Sequence, residues 1–404
     1  MKDTRGGLVA KRAMRFVLLV GVLSFFADFT YEGARSVLGL WLATMGATAT
    51  VIGIVVGFGE LLGYGLRLVS GRLADASRQF WPITIIGYVV QMSAVPLLAF
   101  VHSWQLAAVL IVLERIGKAI RNPPRDVMLA SAAKRIGGYG WAFGIHEAFD
   151  QFGAMVGPLV VAAVIAVNGD YRLAFVILAI PAFINLCFVG LARVAFPRPQ
   201  DLEQREADEA VVDRYPVDYW VYLAGAGLVA AGFADYPLIA YHWSIHRVIP
   251  EDWVPLLYAV AMAVSGGASL FLGRLFDRYG FRILIALTVV AAAFAPLVFL
   301  SGRIEFAVLG AALWGMGMGV HESIIPAAVA PMVSGERRAS AFGMFTAVYG
   351  VCWFAGSALI GWIYDSSIMG AVVFCVVSQL LALPVFAWVS RSRAARQHSG
   401  SAGE

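Results

Sequence analysis

GRLADASRQF, at residues 71–80, returns as GRLFDRYGFR at residues 273–282. In each copy a glycine is followed four residues later by an aspartate, then by basic residues, at the end of a long apolar run. Two further stretches repeat in the same order. FFADF at 25–29 returns as GFADY at 232–236, matching Asp28 with Asp235, and WAFG at 141–144 returns as SAFG at 340–343. The offsets are 207, 202 and 199 residues, as expected of one duplicated unit with small deletions. Repeats of this kind mark secondary transporters, whose substrate site lies between the halves near the middle of the membrane.

The rest of the chain agrees. Of 404 residues, 60% are hydrophobic and only 14% charged, against roughly 25% charged in soluble domains. Apolar stretches of about 20 residues recur, each long enough to cross a hydrocarbon core of about 30 Å. The alternating pattern of a membrane β-barrel is absent. The sequence therefore predicts an all-α membrane protein with twelve transmembrane helices, at 16–44, 48–73, 81–101, 104–131, 139–166, 171–194, 217–244, 253–276, 282–301, 304–332, 339–364 and 368–390. Among the 30 Lys and Arg, three fall in one set of loops (Arg172, Arg247, Arg303) and four inside spans (Arg35, Arg67, Arg115, Lys118). The remainder occupy the other loops and the ends, which places both termini in the cytoplasm. The net charge of +4 thus reflects topology, and no nucleic-acid partner is expected. The polar, acidic segment 195–216 reads as a cytoplasmic linker between six-helix bundles at 1–194 and 217–391, with a tail at 392–404. Cys187, Cys352 and Cys375 lie in apolar spans without paired spacing and read as packing residues.

At this point the chain resembles the major facilitator superfamily, along essentially its whole length. GRLADASRQF looks like the loop motif that superfamily carries between its second and third spans, and GRLFDRYGFR matches it more closely. In that motif Gly71 and Gly273 would permit close helix packing. Asp75 and Asp277 would accept hydrogen bonds from Arg78 and Arg278, or from helix N-termini, and latch one conformation. GAMVGP at 153–158, with Gly153, Gly157 and Pro158, looks like the span-five motif associated with proton-coupled exporters. RIGKAIRNPPRD (115–126) followed by AFGIHEAFDQFGAMVGP (142–158) resembles a bacterial branch of that superfamily, which implies drug or metal-ion export. Glu147 stands where that branch has arginine. The usual fourth-span arginine, four residues before a glycine, is Leu113 here. The resemblance implies two pseudo-symmetric six-helix bundles, a path lined by spans one, four, seven and ten, and a monomer.

A charge inside the bilayer costs at least about 2.5 kcal/mol, so it faces a cavity or a partner. Asp28, Glu32 and Arg35 follow i, i+4, i+7 spacing and line one face of span one. They face the path, or form a salt-bridge stripe that orders the bundle. Glu114, Lys118 and Arg121 share the same spacing on span four, with Arg115 beside them. Arg115 and Lys118 either touch substrate or neutralise Asp28 and Glu32. Arg121 is expected near the cytoplasmic end, with Arg125 and Asp126 in a loop or gate after two prolines. On span five His146 and Asp150 share a face, where they could carry a proton, while Glu147 points about 100° away. Span seven sets Asp235, His242 and His246 on one face, the histidines read as an extracellular rim. Span ten carries His321 and Glu322 after Gly315, Gly317 and Gly319. Glu60 and Arg67 are read as structural, and Tyr31 and Trp314 as cavity walls or packing.

No Gly-x-x-x-x-Gly-Lys-Ser/Thr loop, nucleophile elbow or His-Glu-x-x-His motif is present. No enzymatic activity, cofactor or resident metal is expected. The expectation is a secondary transporter in a bacterial-type cytoplasmic (inner) membrane, carrying a small polar or ionised solute by alternating access. Proton-coupled export by antiport leads. The alternatives are proton-coupled uptake, and export of a divalent metal or metal chelate held by Asp28, Glu32, His146 and His321. A non-transporting receptor or scaffold is the different class.

Overall fold

The computed structural model describes residues 2–136, 139–199, 215–325, 328, 329, 332 and 338–401, and is helical with no strand among them. The helices are α1 (Lys2–Thr44), α2 (Ala49–Ser77), α3 (Phe80–Leu97), α4 (Trp104–Ala133), α5 (Tyr139–Asn168), α6 (Tyr171–Ile177) and α7 (Ala179–Ala195) in the first half. The second half holds α8 (Val217–Ala231), α9 (Tyr236–Ile245), α10 (Trp253–Tyr279), α11 (Phe281–Ala292), α12 (Phe294–Leu300), α13 (Ile304–Gly319), α14 (Arg338–Ser366) and α15 (Ile368–Ser401). Ten segments of the described residues are long and apolar enough to cross a membrane, α6–α7, α8–α9 and α11–α12 each making one. The two other expected spans are helical as well. α4 is too rich in charge to pass on composition, and α10 is apolar over Trp253–Ser269. Residues 200–214 of the expected linker lie outside the described residues.

The repeat is visible in the backbone. Arg78, within the first motif copy, has φ 54°, and Gly280, at the matching position of the second, has φ 59°. Their amides donate to Ala74 O at 2.8 Å and Phe276 O at 2.7 Å. The same left-handed stop closes α2 and α10. Arg78 reaches it at a cost that Gly280 avoids.

Three expected spans are each built of two helices, and the widest break lies in the seventh. Residues 217–244 do not form one helix: α8 ends at Ala231, and α9 starts at Tyr236 with Asp235 as its extended N-cap. Gly232 closes α8, and Pro237, in the first turn of α9, has no amide hydrogen to continue the ladder. The span expected at 104–131 is one helix, and α4 runs on through Pro123 and Pro124. A proline at 123 cannot donate to Ala119 O. Ser70 Oγ on α2 donates to that carbonyl at 2.8 Å instead, the substitution that lets membrane helices carry proline.

The chain forms two compact units. One comprises Met1–Met45, Leu62–Asp208 and Glu251–Ala259; the other comprises Gly46–Leu61, Glu209–Pro250 and Val260–Glu404. Each unit therefore includes a short segment from the opposite half of the sequence. In the first unit α1 lies along α5, where a Cβ on Gly153 or Gly157 would strike the carbonyls of Phe25 or Phe29. In the second, the start of α2 packs on α14 in the same manner, Gly53 against Ser357 and Gly361 against Ala49. The Asp365 carboxylate caps α2, accepting from the amides of Ala49 at 3.0 Å and Thr50 at 2.9 Å.

Candidate functional site

In the first unit Asp28, of the span-one stripe, meets α4. Asp28 Oδ1 lies 3.9 Å from Lys118 Nζ and 3.8 Å from Arg121 Nη2. Glu32 accepts a hydrogen bond from the Tyr258 hydroxyl at 2.5 Å. Arg35 Nη1 donates to the Tyr31 hydroxyl at 2.7 Å. Glu114 Oε2 is 3.7 Å from Arg115 Nε, and Glu114 Oε1 accepts from Gln91 Nε2 at 2.7 Å. Lys118 and Arg115 both lie against the Tyr31 ring, at 4.4 and 4.6 Å from its centroid. Asp28, Glu32, Arg35, Glu114 and Arg115 are buried, and Lys118 is half-buried.

α4 continues past Arg121 and the two prolines to Ala133, and Arg121 is 1% exposed. Its Nε donates to Gln91 Oε1 at 2.5 Å, and its guanidinium covers the Tyr88 ring at 4.6 Å. Close approach of α3 and α4 makes this possible: a Cβ on Gly117 would come within 2.6 Å of Gln91 N. Arg125 and Asp126 are likewise helical residues and not loop residues. Arg125 is buried, bonded to Asp126 Oδ1 at 2.7 and 2.9 Å and to Ser24 Oγ at 3.1 Å.

From Ser24 the polar chain passes to α5. Ser24 Oγ and His146 Nε2 are 2.6 Å apart, and His146 Nδ1 is 3.4 Å from Asp150 Oδ2. With its proton on Nδ1, His146 would accept from the Ser24 hydroxyl and turn its N–H toward Asp150. Glu147 is not separate, as the helix angle suggested: ligand atoms of His146, Glu147 and Asp150 all lie within 4.8 Å of one another. Glu147 is exposed and accepts from Gln151 Nε2 at 2.9 Å. Among the described residues this is the one set of three or more His, Cys, Asp or Glu groups close enough for a single ion. It contains neither Asp28 nor Glu32, so the metal site expected from them with His146 does not form within this unit.

In the second unit Asp235 sits at the break between α8 and α9, 3% exposed. It accepts from Trp353 Nε1 at 3.1 Å and Ser357 Oγ at 2.6 Å, both on α14. His242 is buried with Nδ1 2.6 Å from the Tyr364 hydroxyl, while His246 is exposed. Past Gly319 the helix becomes a π-helix, Val320–Ile324, which carries His321 and Glu322. His321 is buried, with Nδ1 2.5 Å from the Tyr349 hydroxyl and its ring 4.2 Å from Phe233 and 5.3 Å from Trp353. His321 Nε2 is buried without a hydrogen-bond partner. Glu322 is exposed. Trp314 is a packing residue, its indole donating to Ala234 O at 2.8 Å. π-Helical turns recur at functional sites because they re-aim side chains.

The motif residues are partly described. A Cβ on Gly71 would meet the Pro123 side chain at 3.5 Å, an ordinary contact. Arg78 is exposed, and exposed Arg278 lies over the Tyr279 ring at 5.2 Å. Asp75, Gly273 and Asp277 are helical, and their side-chain surroundings lie outside what is described. Pro158 is inside α5, one turn from Ala154. Sequence reasoning missed Ser24, Tyr88, Gln91 and Tyr258. Of these only Gln91 carried a signal, as a lone amide in an apolar helix.

The sequence profile of the Major Facilitator Superfamily matches residues 17–248 and again 219–404. An uncharacterized protein of Mycobacterium tuberculosis is 39% identical over 380 residues, covering 93% of this chain and 92% of the relative. An uncharacterized MFS-type transporter of Methanocaldococcus jannaschii is 22% identical over 380 residues, covering 91% and 94%. Among solved structures, a bacterial homolog of the human lysosomal transporter Spinster, inward-facing and occupied, superposes with TM-score 0.72 at 15% identity, covering 93% of this chain and 96% of that one. The nucleoside transporter NupG gives TM-score 0.68 at 14% identity, covering 94% and 98%.

Proposed function

The chain belongs to the Major Facilitator Superfamily, and from that premise we propose that it exports a small polar or ionised solute in exchange for protons. Family and fold make it a multi-pass membrane transporter; coupling and direction are our reading. One observation carries it. Membrane-spanning helices of the first unit hold two series of polar and ionisable groups, Lys118–Asp28–Arg121 and Arg125–Ser24–His146–Asp150. Charge kept inside a bilayer at a cost is kept for a task. The His146–Asp150 pair offers a place for one proton, and Ser24 relays its presence to Arg125. Asp28, held by two cations at 3.8–3.9 Å, can change partners without breaking a short bond. The charge asymmetry of the loops supports placement in a cytoplasmic membrane with both ends inside, and a monomer is the proposed unit.

The test is solute-induced proton movement in proteoliposomes loaded with a pH dye, comparing wild type with Asp28→Asn and Glu32→Gln across organic acids, amino acids, metal ions and cationic drugs. A solute that moves protons through wild type alone supports coupling, and the sign of the dye response separates antiport from symport. A carried solute that moves no protons removes the coupling. The grouping of His146, Glu147 and Asp150 favours a second reading, in which a divalent cation is the substrate. Arg125, one hydroxyl away, opposes a second positive charge there and keeps this reading second.

A further inference from the structure

The end of the seventh span carries two imidazoles on one helix face. His242 and His246 are one turn apart at the close of α9, and the His246 amide donates to His242 O at 3.0 Å, which fixes that register. Their ring centroids are 4.6 Å apart. An ion with metal–nitrogen bonds of about 2.0–2.1 Å brings two imidazole nitrogens to about 3 Å of one another, within reach of rings this close. His242 is 4% exposed, with Nδ1 2.6 Å from the Tyr364 hydroxyl and its ring 5.2 Å from Phe299. Nε2 is the nitrogen it has left for a ligand. His246 is exposed; among the described residues its imidazole lies against the His242 ring and has no hydrogen-bond partner. It opens on a cavity of about 470 Å³, lined also by Tyr241, Tyr364, Asp365, Ser366 and Ser367. The Asp365 carboxylate is held by the α2 amides of Ala49 and Thr50, so it biases the cavity toward cations without being free to ligate one.

We propose that His242 and His246 bind a transition-metal dication of the zinc, nickel and copper class at this cavity, with water completing its shell. Imidazole nitrogen suits these ions, whereas magnesium and calcium take oxygen ligands. Tyr364 serves His242 as outer partners serve metal-bound histidines generally. Its hydroxyl accepts the Nδ1 proton, fixes the tautomer and leaves Nε2 to the ion. Held by both rings, the ion clasps the last turn of α9, immediately before the left-handed Arg247 at φ 51°. All of these residues belong to the second unit, and none is shared with the grouping of His146, Glu147 and Asp150 in the first. The ion is therefore a ligand of the membrane face and not the cargo, and the proposal holds or fails whatever solute is carried. In the orientation proposed above, that face is the outer one.

The experiment uses the full-length protein in detergent, free of any histidine tag and stripped with chelator. Zn²⁺, Ni²⁺ or Mg²⁺ is titrated by calorimetry into wild type, His242→Gln, His246→Gln, Tyr364→Phe, Glu147→Gln and the exposed control His102→Gln. The expected result is one Ni²⁺ or Zn²⁺ per chain that depends on His242 and His246, with no binding of Mg²⁺. Tyr364→Phe should bind about 10- to 100-fold more weakly, and the two histidine variants more weakly still. Glu147→Gln and His102→Gln should match wild type. His246 is exposed, so His246→Gln carries the comparison if His242→Gln does not fold. No saturable binding by wild type, binding unchanged in His246→Gln, or equal binding of Mg²⁺ overturns the proposal. Binding lost in Glu147→Gln and kept in His246→Gln moves the ion to the first unit and overturns it as well.

Discussion

Asp28 is held by two cations on α4, neither in hydrogen-bond range. Asp28→Asn keeps its shape and removes its charge. Arg121 retains Gln91 and Tyr88, so the stability cost is about 1–2 kcal/mol and not the roughly 3–5 kcal/mol of a fully stranded buried charge. Solute-driven proton flux should fall to background while the variant still reaches the membrane in wild-type amount. His321 poses the opposite question. Its Nε2 has no hydrogen-bond partner and its ring is packed on Phe233, so His321→Phe replaces one buried ring with another. Stability should hold within about 1 kcal/mol, the loss coming from the Tyr349 hydroxyl. Flux should be lost if the imidazole carries protons; retained flux would make His321 a packing residue. The ionisable residues could be read from the sequence because charge inside an apolar run is rare and its periodicity fixes a face. Ser24 and Gln91 could not, since a lone serine or amide has many reasons to be in a helix and only the fold shows what it touches. Glu147 was misjudged because a helix angle locates a Cα, whereas its longer side chain reaches back toward Asp150.

At the scale of single helices, close packing makes sharp predictions. Gly157→Leu would drive a side chain into the Phe29 carbonyl, and Gly53→Leu into that of Ser357; backbone cannot give way as a side chain tip can. Both should abolish a monodisperse peak in gel filtration. Gly63→Ala meets nothing within 4 Å and should be tolerated, with a gain in helix stability of up to about 1 kcal/mol. Ser70→Ala removes the donor that serves the Ala119 carbonyl beside Pro123 and should cost about 1–2 kcal/mol in thermal unfolding, although residue 70 touches none of the charged groups. That bond also explains how Arg125 and Asp126, expected in a loop or gate, come to be helical. A double proline ordinarily ends a helix, and the rescue comes from a serine some fifty residues earlier in sequence. The break at Gly232–Asp235 was missed for the reverse reason: hydropathy runs unbroken there, and only Asp235 and Pro237 together signal a new N-terminus.

For the whole molecule, the repeat located the motifs and the spans, but not the exchange of segments between halves. Gly46–Leu61 joins the unit otherwise formed by the second half, and Glu251–Ala259 joins the first. Asp365→Ala tests the join, because it removes the cap that receives Ala49 and Thr50. It should cost about 1–2 kcal/mol. A cut through the linker at residue 205 tests the design. Fragments 1–205 and 206–404 should each fail to give a folded species alone and should copurify when expressed together. A half-length chain of this design is one strip of helix short and can be completed only by borrowing that strip from another copy. Joining two copies head to tail turns the loan from a bimolecular event into an internal one, at an effective concentration of order millimolar. The duplication legible in GRLADASRQF and GRLFDRYGFR thus did more than double a bundle, because it made each half the other's obligate lender.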